Sequence, residues 1–175
     1  MDIRILVGAD APAYQRLRLE GLRDCPTAFA THYEEECSKD VQSVAARLEP
    51  NAGRVICGAF EAKTLVGILG IQREERKNLR HKGVIWGMYV TPAARGKGIG
   101  RALLKHVLNE AKKMQGLRLV NLWVNAASTS VVAMYRAAGF NQIGVERAFL
   151  VVDGASQDLI HMVRFLNGTS GAERV

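Results

Sequence analysis

The segment best equipped for chemistry is Arg95-Gly96-Lys97-Gly98-Ile99-Gly100-Arg101, which follows the apolar run Val84 to Val90 after a Thr91-Pro92 break. Downstream, Ile99, Leu103, Val107, Ala111 and Met114 recur at helical spacing, with Arg101, Lys105, Asn109 and Lys112 on the other side. A turn between a strand and a helix gathers backbone amides at the helix N-terminus. Those amides and the helix dipole suit a phosphate group, and glycine lets a ligand approach the backbone closely. Arg95, Lys97 and Arg101 add positive charge around the same turn.

Spacing narrows the choice of phosphate ligand. A Rossmann turn needs G-x-G-x-x-G, but the third position falls on Arg101 when counted from Gly96 and on Leu103 when counted from Gly98. A P-loop needs Gly-Lys followed by Ser or Thr, whereas Lys97 is followed by Gly98. The pattern that fits is R-x-x-G-x-G, met by Arg95, Gly98 and Gly100 directly after a strand ending at Val90. With these residues the chain resembles the GNAT superfamily of acetyl-CoA-dependent N-acetyltransferases. The resemblance implies a turn that cradles the pyrophosphate of coenzyme A, with Arg95, Gly96, Lys97, Gly98, Ile99, Gly100 and Arg101 around it. Met88, Tyr89 and Val90 would pair with the pantetheine arm.

A second family mark lies at Leu122 to Phe140. It resembles a strand followed by N-x-x-A-x-x-L-Y and Gly-Phe. Tyr135, Gly139 and Phe140 match in place, Met134 substitutes for the usual Leu, and the family Asn and Ala fall on Ser128 and Val131. Ser128 either keeps one hydrogen bond to the cofactor or caps its own helix. Asn125, three residues earlier, is the candidate to compensate. Residue-level matching is confined to Met88 through Phe140, while the order of segments agrees throughout.

The implied reaction needs few parts. A neutral amine attacks the thioester in a ternary complex, an oxyanion forms, and coenzyme A leaves as a thiolate. A strand amide near Met88 would meet the oxyanion, and Tyr135 would protonate the thiolate. An aromatic at helical spacing is otherwise a packed core residue, which is the competing reading of Tyr135. The base is not assigned: many relatives carry a Glu on the strand before the turn, but Val84 to Met88 include no carboxylate. Glu34, Glu35, Glu36 or Glu146 acting through water, His81, His161 and water itself all stay open.

The elements that must position these groups alternate in type. The pattern predicts a strand over residues 1–7, a helix from about Pro12 to Asp24, and a second helix from Lys39 to Leu48. Strands at 54–60 and 65–71 are joined by a hairpin at Glu61 to Thr64. A strand at 84–90, the Gly98–Met114 helix, a strand at 117–124 and a helix at 129–138 come next. Strands at 140–150 and 159–165 flank Asp153-Gly154. Thr27 to Ser38 has no clean period and contains the acidic run Glu34-Glu35-Glu36. The expected fold class is α/β: a mixed, mostly antiparallel sheet of about seven strands flanked by helices, in the order β-α-α-β-β-β-α-β-α-β-β. One domain over 1–166 is expected, with 167–175 as a polar, disordered tail.

Composition agrees with one globular unit. The chain has 175 residues, 48% apolar and 23% charged, which excludes a wholly disordered polymer. Three cysteines without a C-x-x-C pair indicate neither a disulfide framework nor a zinc site, and no metal is expected. There is no signal-peptide pattern and no apolar run of roughly 20 residues, so the expectation is a cytoplasmic protein without a membrane partner. The formal charge of +7 points to an anionic partner. A nucleic-acid module would need interleaved aromatics, which total only 6%. A non-catalytic acyl-CoA sensor of the same fold is the second alternative. The acceptor is a small-molecule or protein amine, for which the acidic run favours a cationic one, and the protein is expected as a monomer or homodimer.

Overall fold

In the computed structural model, residues 1–166 are described. The polar segment 167–175, read from sequence as a disordered tail, lies outside the described residues. Seven strands, β1 (Asp2–Ile5), β2 (Arg54–Glu61), β3 (Thr64–Arg73), β4 (Lys82–Val90), β5 (Leu119–Asn125), β6 (Asn141–Val152) and β7 (Ala155–Phe165), form one sheet in the order β1-β2-β3-β4-β5-β7-β6. All neighbours are antiparallel except β4 and β5. Two hairpins are set by paired left-handed residues, Ala62 and Lys63 between β2 and β3, and Asp153 and Gly154 between β6 and β7.

Helices cover both faces. On one, α1 (Ala11–Asp24), α2 (Tyr33–Cys37) and α3 (Val41–Leu48) pack on β2 to β4. The buried positions of α1 are Ala11, Tyr14, Leu17, Arg18, Gly21 and Leu22, a helical stripe that carries one arginine among apolar neighbours. On the other face lies α4 (Ile99–Lys113), whose Leu103 and Val107 are fully buried, together with α5 (Thr129–Ala137). Truncating Leu103 to alanine in such a core costs about 2–5 kcal/mol.

The expected element order holds with two adjustments. The unperiodic segment contains the five-residue helix α2, whose period is too short to read and whose Glu36 is buried among basic side chains. Strand β7 begins at Ala155 rather than Leu159, because its first residues pair with β6 as a solvent-exposed ribbon without an apolar alternation. Among the described residues, no helix is long and apolar enough to cross a membrane.

Candidate active site

Two departures from regular sheet create the site. Strands β4 and β5 pair in parallel over only three rungs, Lys82 with Leu119, Gly83 with Val120 and Val84 with Asn121. Beyond that point β4 stays paired with β3 and β5 with β7 but not with each other, leaving a V-shaped opening between them. Within the same half of β4 the register to β3 slips: Ile68 faces Tyr89 while Gly70 faces Trp86, so β4 holds one extra residue. Gly87, at φ +73°, takes the strained position of this bulge. The peptide groups of Gly87 and Met88 thus stand outside the ladder at the mouth of the V.

The glycine turn closes the open end. Pro92–Ala94 makes a 3-10 turn, and Gly96 (φ +78°) and Gly98 (φ +80°) bring the chain into α4 through left-handed backbone. The first helical bond is donated by Ala102 N–H to the Gly98 carbonyl at 3.1 Å. Among the described residues, no protein acceptor meets the amides of 96–101. A Cβ at Gly96 or Gly98 would meet no atom within 4 Å, so these glycines face open space. Unused donors, a helix N-terminus and bare backbone fit a pyrophosphate. From this turn a cleft of about 530 Å³ runs between α4 and α5, and its lining includes Arg101, Lys105, Lys112, Met134 and Arg164. A Cβ on Gly100 would stand 3.4 Å from the Met134 sulfur, in ordinary contact across the cleft.

The expected site residues divide by where their side chains go. Arg101 and Lys97 are exposed beside the turn, Lys97 paired with Glu61 at 3.2 Å, while Ile99 is a core anchor. Arg95 turns away from the turn. Its Nε donates to the Val90 carbonyl at 3.0 Å, its Nη2 pairs with Asp24, and its guanidinium lies over the Tyr89 ring. Tyr89 points into the opposite face, with its hydroxyl donating to Glu20 at 3.0 Å or Asp24 at 3.2 Å, so only its backbone borders the V. Met88 and Val90 lie on the α4 face.

Asn125 is engaged internally: Nδ2 donates to Gln157 at 3.1 Å and to the Thr27 carbonyl at 3.3 Å, and Oδ1 accepts from Ala127 N–H at 2.9 Å. Ser128 precedes α5 but its side chain makes no cap bond, which leaves the hydroxyl open to a ligand. Tyr135 is 5% exposed and packs edge-on against Phe140 at 5.7 Å. Burial pushes its phenol well above the usual tyrosine range, so it holds its proton at neutral pH.

The candidate bases are scattered. Glu34 pairs with His32, and Glu36 is held by basic neighbours within the α1–α3 layer. His161, on β7, stacks on Trp123 at 4.2 Å and shares a 3.0 Å hydrogen bond with Asn121. Burial draws its pKa down, so it is neutral near pH 7. Glu146 is exposed on β6. Lys112 and Arg164 also line the cleft, beyond the residues expected from sequence. Lys112 continues the α4 face of Arg101 and Lys105, a signal that the helical spacing carried, whereas Arg164 had none. Among the described residues, no group of three or more His, Cys, Asp or Glu is placed to hold a metal ion.

Residues 19–140 match the model of the acetyltransferase (GNAT) family. The chain is 36% identical over 98 residues to the N-alpha-acetyltransferase RimI of Mycobacterium tuberculosis, covering 56% of this chain and 59% of that protein. It is 30% identical over 135 residues to the mycothiol acetyltransferase of Salinispora tropica, covering 76% and 42%. The alignments therefore span about half the length of these curated relatives. Among solved structures, a GNAT superfamily phosphinothricin acetyltransferase from Sinorhizobium meliloti, in complex with AcCoA, superposes with a TM-score of 0.81 at 26% identity, covering 99% of this chain and 94% of that one. The splayed strands, the bare amide turn and these likenesses converge: the chain belongs to the acetyltransferase (GNAT) family.

Proposed function

We propose that this protein transfers the acetyl group of acetyl-CoA to a primary amine by direct attack in a ternary complex. The observation that carries the reading is the row of uncommitted amides at 96–101, set at the open end of the V that begins after Val84 and Asn121. Those amides hold the pyrophosphate, Arg101 and Lys105 add charge along α4, and the free edge of β4 pairs with the pantetheine arm. When bound, acetyl-CoA supplies the thioester carbonyl.

The bulged Gly87–Met88 segment offers an amide to the developing oxyanion. Tyr135 stays protonated and gives its proton to the departing sulfur. The acetyl C–S bond breaks as the C–N bond forms, and the proton lost by the amine restores the phenol through solvent. The products are an amide and free thiol. Ser128 adds one hydroxyl to the cofactor wall. The acceptor is a small-molecule or protein amine, since the relatives' names range from an N-alpha-acetyltransferase to acetyltransferases of mycothiol and phosphinothricin.

Thiol release from acetyl-CoA across an amine panel tests this directly. Amine-dependent release is expected. Tight acetyl-CoA binding by calorimetry with no release on any amine would instead identify a sensor, and absence of both would overturn the site.

A further inference from the structure

The α1–α3 face of β4 contains a cluster that the transfer chemistry does not use. Arg18 is 5% exposed within the apolar stripe of α1, and its guanidinium lies 4.5 Å from the Phe29 ring centre. It reaches the β4 bulge, where Nη1 stands 4.0 Å from the position a Cβ on Gly87 would take. Gly87 immediately precedes Met88, whose amide borders the reacting acetyl group in the reading above.

The cluster is short of acceptors. Glu36 is its buried carboxylate, and it serves other cations: Oε1 accepts from Arg47 at 3.0 Å and Oε2 from Lys39 at 3.0 Å. Arg18 Nε remains 3.9 Å from Oε2, beyond hydrogen-bond reach. Nε and Nη1 of Arg18, Nε of Arg47 and Nε1 of Trp86 are all enclosed without a partner. Buried donors are normally satisfied, and a guanidinium left short of acceptors is among the most unfavourable groups to enclose. Two arginines and one lysine against one carboxylate also leave a positive excess. An anion would supply both the missing charge and the missing acceptors.

We propose that Arg18 reads a carboxylate on the acceptor, and that the acceptor is therefore a small amine carrying a carboxylate, with α-amino acids as the simplest class. Arg18 lies against the residue that immediately precedes Met88, so a carboxylate at Arg18 and an amine facing Met88 belong to one small molecule. The expectation of a cationic acceptor loses one of its three carboxylates, since Glu36 of the acidic run is held by Lys39 and Arg47. The inference rests on the acetyl-transfer reading.

The test compares glycine, alanine, leucine, phenylalanine and glutamate with their carboxamides at saturating acetyl-CoA. The pH-independent kcat/KM is used because the amide lowers the amine pKa. The free acids are expected to exceed the amides by about tenfold or more, because the carboxamide loses the charge and one of the two acceptors that a guanidinium pairs with. Arg18→Gln should bring that ratio to near one and Arg18→Lys should keep part of it, while general losses of activity cancel in the ratio. A wild-type ratio near one, or a ratio unchanged in a folded Arg18→Gln, overturns the proposal.

Calorimetry of the N-acetyl amino acids against the N-acetyl carboxamides on the wild-type protein covers the remaining cases. Tighter binding of the acids supports the subsite even if Arg18→Gln does not fold or no amine is acetylated. The second outcome would sink the transfer reading alone. Equal binding in those cases overturns the subsite.

Discussion

Val84 and Asn121 are the last pair joining β4 to β5, and the site begins where their partnership ends. Asn121 is 8% exposed and hydrogen-bonded to His161 at 3.0 Å, which links β5 to β7 at the base of the opening. Replacing it by alanine removes one partner of a mostly enclosed bond, and such losses run to about 1–3 kcal/mol. Asn121→Ala is expected to lower the melting temperature by several degrees and to weaken acetyl-CoA binding as the V loosens. Unchanged melting would show that the strand register alone fixes the opening.

Gly98 is required for two separable reasons. Its φ of +80° costs a side-chain-bearing residue about 1–2 kcal/mol, and its Cα faces the open amides. Gly98→Val should therefore lose a few degrees of stability and at least tenfold in acetyl-CoA affinity by calorimetry. Gly144 also faces open space, but on β6 and without positive φ, so Gly144→Val is the matched control with neither loss.

Tyr135 tests the acid. Its ring is packed against Phe140, so Tyr135→Phe keeps the shape of the core while deleting the proton. A fall in kcat of about 10²-fold, with acetyl-CoA affinity nearly constant, is expected for a general acid. The same variant has a stability signature. The folded phenol titrates above the unfolded value of 10.0, so its contribution is complete below pH 10 and is lost as pH rises beyond it. Alkaline unfolding should be less steep in Tyr135→Phe than in the wild type.

Much of this was readable from residue types, and the failures have physical causes. The glycine turn, the Asp153-Gly154 hairpin and α4 were legible because each is local, set by left-handed glycines or by a helical period. The β4 bulge was hidden inside an apolar run, where its single mark was Gly87, since a slip in register is a relation between two strands. Arg95 and Asn125 fall at the expected elements, but their side chains answer to Asp24 and Gln157, which the fold brings from 71 and 32 residues away. Arg18 was hidden for the opposite reason. A polar residue inside an apolar helical stripe looks like an ordinary interruption until the facing elements are known.

Glu36 predicts an acid-sensitive layer. Burial alone would raise its pKa, but Lys39, Arg47 and Arg18 outweigh burial and hold the carboxyl below its ordinary 4.5. The sign follows: a lowered pKa contributes stability that is present above the unfolded value and disappears as pH falls below it. Wild-type melting should drop on acidification below about pH 4.5. Glu36→Gln should lack that segment and be weaker at neutral pH by about 3 kcal/mol, because buried arginines lose their counter-charge. Denaturant melts at pH 7 and pH 4 measure both effects, and parallel profiles for the two proteins would remove Glu36 from the account.

The two arginines of the turn should behave differently. Arg95 is anchored by the Val90 carbonyl, Asp24 and the Tyr89 ring, so its guanidinium joins the turn to the end of α1. Arg101 is exposed on α4 and lines the basic cleft. Arg95→Ala is therefore expected to reduce stability by about 1 kcal/mol, the net worth of a hydrogen bond to a partly exposed charged group. Its acetyl-CoA affinity should fall less than that of Arg101→Ala. Arg101→Ala should leave melting nearly unchanged, weaken binding several-fold at low ionic strength, and lose much of that difference at 1 M salt, where screening reaches about 3 Å. Calorimetry at two salt concentrations with paired melts separates the roles. Equal salt-dependent losses in both variants would mean that Arg95 leaves Asp24 and reaches the phosphates when the cofactor binds.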